Sequence, residues 1–220
     1  ILKFPFGKTL YQFIRAISLL RVKSFRDLFF EVKKNDICID LGANIGDASL
    51  IMWLKGAKRI YALEPNIVAF DQLQKNLYGI KNIIILNMAI SNKTKKEKLF
   101  LHKSIKEKSN EKKILALSEA SSLFSDKTNI GECYYEVQGK TLRDLLFDLM
   151  TKPDLIKCDI EGGEYMIYEQ LIEYVKSEKP RKIFVECHAE KYPQFKEPHY
   201  KFMKLIEQNN LENIIDASWH

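Results

Sequence analysis

The sequence predicts an α/β fold: a Rossmann-like, doubly wound and mostly parallel sheet with an N-terminal helical cap and an inserted β-hairpin and loop. Three observations predict it. From Asp36 onward, short β-branched runs alternate with amphipathic stretches, the order expected of a parallel sheet covered on both faces. The first of these runs ends in a glycine-bearing turn, Asp40-Leu-Gly-Ala-Asn-Ile-Gly46. At 220 residues and 46% hydrophobic content, the chain is long enough for one substantial core and short for two. Residues 1–35 are assigned to the cap and residues 36–220 to the sheet domain, with the insertion at about 91–140.

Residues 8–31 place Leu10, Phe13, Ile14, Ile17 and Leu20, then Phe25, Leu28 and Phe29, at helical spacing, which predicts one or two amphipathic helices packed on the domain. The alternative for this segment is docking on a membrane surface through Lys3, Lys8, Arg15, Arg21 and Lys23. A first strand is expected over 37–41 and a helix over 47–54. A second strand follows over 59–63, and after Pro65 a helix over 67–77. A third strand is expected over 83–88. Residues 97–102 and 134–138 alternate enough to form a hairpin-like pair, with loop and some helix between them. Thr141 fits the cap of a helix reaching about 150, with Asp144 in its first turn. Strand four is expected over 155–160, a helix over 164–176, strand five over 183–187, a helix over 200–209 and a further strand from 214.

Composition narrows the class of partner. The formal charge is +6, but nine lysines against three glutamates between residues 91 and 113 account for all of it, and the rest of the chain is balanced. A localised lysine run predicts a solvated insertion, or a clamp for an anionic substrate, rather than a nucleic-acid surface. Cys38, Cys133, Cys158 and Cys187 include no C-x-x-C pair. They argue against a disulfide framework or zinc site and fit a reducing cytoplasm, the expected location. The apolar stretch from 13 to 20 is interrupted by Arg15 and is far short of the roughly 20 residues of a membrane span. No secretory signal is expected.

The turn at the end of the first strand lies where open α/β sheets bind ligands. Gly42 removes a Cβ that would hold the backbone away from a ligand, and Gly46 allows close entry into the next helix, whose free N–H groups suit a carboxylate. Asp40 suits an ammonium. Together these fit the amino-acid end of S-adenosylmethionine (SAM) in a class I methyltransferase fold. A dinucleotide site would use G-x-G-x-x-G, whose central glycine is here Asn44. Glu64 ends the second strand, where an acid takes both ribose hydroxyls. Asn66 is assigned to the same cofactor site, with a helix cap as its structural alternative, and Ala89, after the third strand, is assigned to the adenine.

The second chemical segment is Ile156-Lys-Cys-Asp-Ile-Glu-Gly-Gly-Glu164. Lys157, Asp159 and Glu161 alternate with apolar residues, so they are expected on one face of a central strand, where ionisable groups are costly unless paired or used. Glu186 and His188 share a parity on the next strand. Both rows are expected to converge at the carboxyl edge of the sheet, beside the first turn.

With these residues in view, the chain resembles the FkbM family of methyltransferases. The resemblance rests on Asp40 to Gly46, Glu64-Pro65, Ala89-Ile-Ser91, Ser121-Ser-Leu123 and Ile156 to Glu164, and spans about residues 36–190. It implies methylation of a hydroxyl, with sugars of surface polysaccharides and glycoconjugates as the expected acceptors and a nucleotide-sugar, glycan or other small molecule as the partner. On this basis His188 or Asp159 is expected to take the hydroxyl proton, Lys157 to set the charge of Asp159, and Glu161 and Glu186 to orient acceptor or base. No metal is assigned; Mg2+ held by the same carboxylates and His188 is an alternative. A nucleic-acid methyltransferase and a non-catalytic scaffold are the competing classes. The first lacks both a [D/N]-P-P-[Y/F] motif and an aromatic platform, and the second sits poorly with the retained charged strand ends.

Overall fold

The computed structural model describes residues 6–219, and of residues 6–9 the backbone alone. Six strands form one parallel sheet in the order β3-β2-β1-β7-β8-β9: β1 (Ile37–Leu41), β2 (Arg59–Leu63), β3 (Ile83–Leu86), β7 (Leu155–Cys158), β8 (Lys182–Val185) and β9 (Ile215–Asp216). This is the doubly wound sheet expected. Chain order diverges at β1, toward β2 and β3 on one side and toward β7 to β9 on the other, and a crevice opens at such a switch point.

Strand alternation sorts the core into two layers. Ile39, Leu41, Ile156, Cys158, Ile183 and Val185 pack with α6 (Leu142–Leu149), α7 (Glu164–Glu178) and α8 (Lys196–Gln208). Cys38, Ile60, Ala62, Leu155 and Phe184 pack with α3 (Asp47–Lys55), α4 (Ile67–Asn76) and the N-terminal α1 (Phe6–Leu19) and α2 (Lys23–Glu31). Asn66 caps α4 by accepting from the Val68 and Ala69 amides, and Thr141 caps α6 by accepting from the Asp144 amide.

Several boundaries differ from expectation, each for a local reason. The third strand stops at Leu86, because the Asn87 side chain turns to donate to the Glu64 and Pro65 carbonyls. The chain then leaves as β4 (Ala89–Ile90) for a second, three-stranded sheet, order β4-β6-β5. There β5 (Lys95–His102) and β6 (Ile130–Lys140) form the expected antiparallel pair, longer than its alternation suggested. The fourth and fifth strands end early, at Cys158 and Val185, so Asp159, Glu161, Glu186 and His188 lie beyond the strand ends and not on strand faces.

The cap also differs. In α1 the buried contacts are made by Gln12, which donates to the Asn76 and Tyr78 carbonyls, by Ala16, and by Arg15 paired with Asp47. The predicted apolar stripe of Leu10, Phe13, Ile14 and Ile17 faces outward, whereas Phe25, Leu28 and Phe29 of α2 face the core. No described helix is long and apolar enough to cross a membrane. Lys3 lies outside the described residues, as does the side chain of Lys8.

Lys157 holds the two central strands together. Its buried ammonium donates to the Gly42 carbonyl at 2.8 Å and lies 3.3 Å from Asp40 and 3.4 Å from Asp159. Burial pulls the lysine pKa down, but the two carboxylates more than offset this and hold it above the ordinary lysine range. Removing one partner of such a group strands the other. Lys157→Met is expected to cost about 3–5 kcal/mol in urea unfolding, because Asp40 stays buried without its cation. A loss below about 1 kcal/mol would show that the pair does not tie β1 to β7.

Candidate functional site

The crevice at the switch point has two lobes. The first, of about 670 Å3, runs from the end of β1 across β2 to the second sheet and is lined by Gly42, Asn44, Glu64, Met88, Ala89 and Leu99, among others. The second, of about 830 Å3, lies toward β8 and is lined by Gly42, Asn44, Lys157, Asp159, Glu161, Glu186, Lys191 and Trp219, among others. Gly42, Asn44, Glu119, Asp159 and Glu161 belong to both and form the junction.

The junction exists because Gly42 has no side chain. At φ 76°, an added Cβ would stand 1.8 Å from the Asp159 carbonyl oxygen, so the turns after β1 and β7 touch backbone to backbone. Gly46, at φ 99°, serves packing: a Cβ there would meet Leu73 of α4 at 2.8 Å. Asn44, also left-handed at φ 47°, donates to Glu119 at 3.2 Å and accepts from Ser118 at 3.1 Å. The insertion therefore closes over the first-strand turn. Its nine lysines between residues 91 and 113 all remain exposed, as a solvated face.

Glu64 ends β2 with one oxygen accepting from the Asn44 amide and the other from the Asn66 amide, both at 2.8 Å. Each oxygen keeps a lone pair for a further donor in the first lobe. Burial lifts this carboxyl to about 7 despite the two amides, as expected of a buried acid short of donors.

Asp40 and Asn66, two expected ligand contacts, are absent from both linings. Asp40 is fully buried, where it accepts from Ser49 at 2.7 Å and pairs with Lys157. Asn66 caps α4 and donates to Ser121 at 3.0 Å. Both support the turns behind the crevice.

On the reacting side, His188 is 1% exposed and carboxylates surround it. Its Nδ1 lies 2.9 Å from Glu164, and its Nε2 lies 3.4 Å from Glu161, 3.8 Å from Glu186 and 4.0 Å from Asp159. Burial alone would favour the neutral ring, but Glu161 and Glu164 outweigh it and lift the imidazole to about 10. The surrounding carboxylates thus favour the charged form of the ring. His188 and Asp159, the two residues expected to take the acceptor's proton, stand side by side here. Burial also raises Glu161, but His188 and Lys127 more than offset this and hold it low, whereas burial and the charge of Asp159 lift Glu186.

Sequence patterning missed Lys127. This lysine of the insertion is buried, donates to the Glu161 carboxylate at 2.6 Å and its carbonyl at 3.1 Å, and lies 4.5 Å above the Tyr192 ring. With Ser122, which donates to the same carbonyl at 2.7 Å, it holds Glu161 at a left-handed φ of 55°. A lone lysine between residues 114 and 139 carries no pattern that marks it as buried. Glu164 was visible as part of a motif but without a role; it orients His188.

A family model described as Methyltransferase FkbM domain matches residues 40–211. No curated protein matches the chain. Solved structures that it resembles include a precorrin-6y C5,15-methyltransferase of Geobacter metallireducens, 14% identical over 89% of this chain and 68% of that one, with a TM-score of 0.44. Another is a precorrin 8W decarboxylase of Methanobacterium thermoautotrophicum, 13% identical over 89% and 70%, also with a TM-score of 0.44. A Streptococcus mutans protein in complex with SAH is 24% identical over 30% of this chain, with a TM-score of 0.28, and the match spans only 38% of that protein's length.

The raised carboxyl of Glu64 has a measurable consequence. An acid whose folded pKa lies above its unfolded value stabilises the fold while protonated in both states, and that contribution is lost as pH rises through the folded pKa. The Glu64 carboxyl carbon should therefore titrate near 7 by NMR in the ligand-free protein. Its share of stability, on the order of 2–3 kcal/mol, should disappear between about pH 4.5 and 7. An ordinary midpoint near 4.5 would overturn this account of the first lobe.

Proposed function

Because the chain belongs to the FkbM methyltransferase family, we propose that it methylates a hydroxyl, using SAM, on a sugar of a surface polysaccharide or glycoconjugate precursor. The single observation that carries this reading is the two-lobed crevice: a largely apolar lobe with a donor-hungry carboxylate opens, at Asp159 and Glu161, into a lobe walled by charged groups.

The residues present suit SAM. Glu64 offers two oxygens to a ribose diol, Met88, Ala89 and Leu99 offer an apolar slot for a purine, and the turn at Gly42 and Asn44 leads toward the start of α3 for an amino-acid end. When bound, SAM supplies a methyl group on a sulfonium. The O–CH3 bond forms as the S–CH3 bond breaks, and the hydroxyl proton must leave. Asp159 shares its charge with Lys157 and Glu161 with Lys127, whereas Glu186 has no lysine partner and is lifted by burial and by Asp159. We assign the proton to Glu186, whose carboxyl is lifted by burial and by the charge of Asp159. Asp159 and Glu161 orient the acceptor, and His188 anchors the group from behind. A sugar suits this lobe because ring hydroxyls pair well with carboxylates, and Lys191 offers a cation to the diphosphate of a nucleotide-sugar.

Offering nucleotide-sugars and glycans with methyl-labelled SAM should label one class of acceptor. Glu186→Gln should lower kcat about a hundredfold or more with SAH affinity unchanged, and Glu64→Ala should weaken SAH binding with little effect at saturating SAM. Full turnover in Glu186→Gln would remove it as the base.

A further inference from the structure

We propose that Asp159, Glu161 and His188 form a site for one divalent cation of the Mn2+ type at the wall between the two lobes. One oxygen of each carboxylate and a ring nitrogen of His188 lie within 4.8 Å of one another. Bonds of about 2.1 Å join ligand atoms up to about twice that distance apart, so the three reach a common cation after sub-ångström movement.

The orientation of each group makes this more than an acidic cluster. Lys157 engages one oxygen of Asp159, Oδ2, and the other, Oδ1, faces the His188 Nε2. Lys127 engages Oε2 of Glu161, and Oε1 faces the same nitrogen. Each lysine thus fixes the far side of its carboxylate and aims the near oxygen at one point. On the histidine, Glu164 holds Nδ1 at 2.9 Å, the carboxylate partner that metal-binding imidazoles usually have on their second nitrogen. His188 Nε2 is buried and has no hydrogen-bond partner. A buried ring nitrogen with no hydrogen-bond partner, facing two aimed oxygens, suits a cation as their common neighbour.

The donors also suggest the ion. Two carboxylates with one imidazole suit a cation that accepts both oxygen and nitrogen, and Mg2+, which prefers oxygen and keeps its waters, should bind more weakly than Mn2+. For the cation's use, though not for its binding, this inference rests on the methyl-transfer reading. Asp159 and Glu161 line both lobes, so an ion beside them would acidify a hydroxyl placed at the junction. Glu186, outside the ligand set, stays free to take the proton.

Titrating the full chain with MnCl2, without donor or acceptor, should give one site per chain, weakened about tenfold or more in Asp159→Asn and in Glu161→Gln. Pulsed EPR of the bound Mn2+ should show an imidazole nitrogen, a signature that needs no variant at the buried histidine. Absence of binding at about 1 mM Mn2+ would overturn the site, as would equal affinity in both variants or bound Mn2+ without nitrogen coupling. If methyl transfer proceeds without Mn2+ binding, the site falls and the methyl-transfer reading stands. If Mn2+ binds as described without methyl transfer, the site stands and only that reading falls.

Discussion

The rest of the structure depends on a lysine placed where a hydrophobic residue would be expected. Lys157 occupies the middle of the sheet, beside Asp40 in the register of β1 with β7, and its ammonium reaches the Gly42 carbonyl and the carboxylates of Asp40 and Asp159. A buried ion pair is weak support for overall stability, since a well-packed apolar pair often does as well. What it supplies here is position. Two strand ends that diverge in the chain are fastened by one group with three acceptors, and the crevice between the lobes opens there. Gly42 completes the fastening by letting the two turns meet backbone to backbone.

The inserted segment is as much a part of the site as the sheet. Its lysine-rich first half stays in solvent, but Ser118 and Glu119 engage Asn44, Ser121 engages Asn66, and Ser122 and Lys127 hold the Glu161 turn. The first lobe is consequently walled on one side by the sheet and on the other by the insertion. A segment whose charge marks it as solvated thus also carries a buried lysine, and only the second property bears on the chemistry.

This explains what could be read from the residues alone. The parallel sheet was legible because its strands are apolar runs of the right length between turn signals, and β1 and β2 fall where the pattern put them. The Asp40 to Gly46 turn and the 156–164 segment were legible because their ionisable and glycine residues contradict a buried strand. The direction of each side chain was not. Parity predicts a face only while the strand continues, and β7 and β8 stop at Cys158 and Val185, so Asp159, Glu161, Glu186 and His188 lie past the point where parity applies. Nor does periodicity say which face of a helix is covered: the stripe of α1 is apolar and exposed, and polar Gln12 and Arg15 stand beside Ala16 on its covered face. Lys127 left no trace, because the burial of this lone lysine is decided by the Glu161 turn, more than thirty residues away.

Charge balance finally ranks the acids of the second lobe. Four carboxylates around one imidazole would repel one another if all were free, and the structure neutralises three of them by separate means: Lys157 for Asp159, Lys127 for Glu161, and the His188 ring for Glu164. Among the described residues Glu186 is left with His188 Nε2 at 3.8 Å and no lysine within ion-pair distance, and burial and Asp159 raise its carboxyl. The same arrangement turns one oxygen each of Asp159 and Glu161 toward that nitrogen. A positive charge at that point, whether proton or metal cation, relieves both acids at once and leaves Glu186, raised by burial and by Asp159, facing the open lobe. The lysines thus do more than screen charge: they decide which carboxylate oxygens are spent and which remain for chemistry.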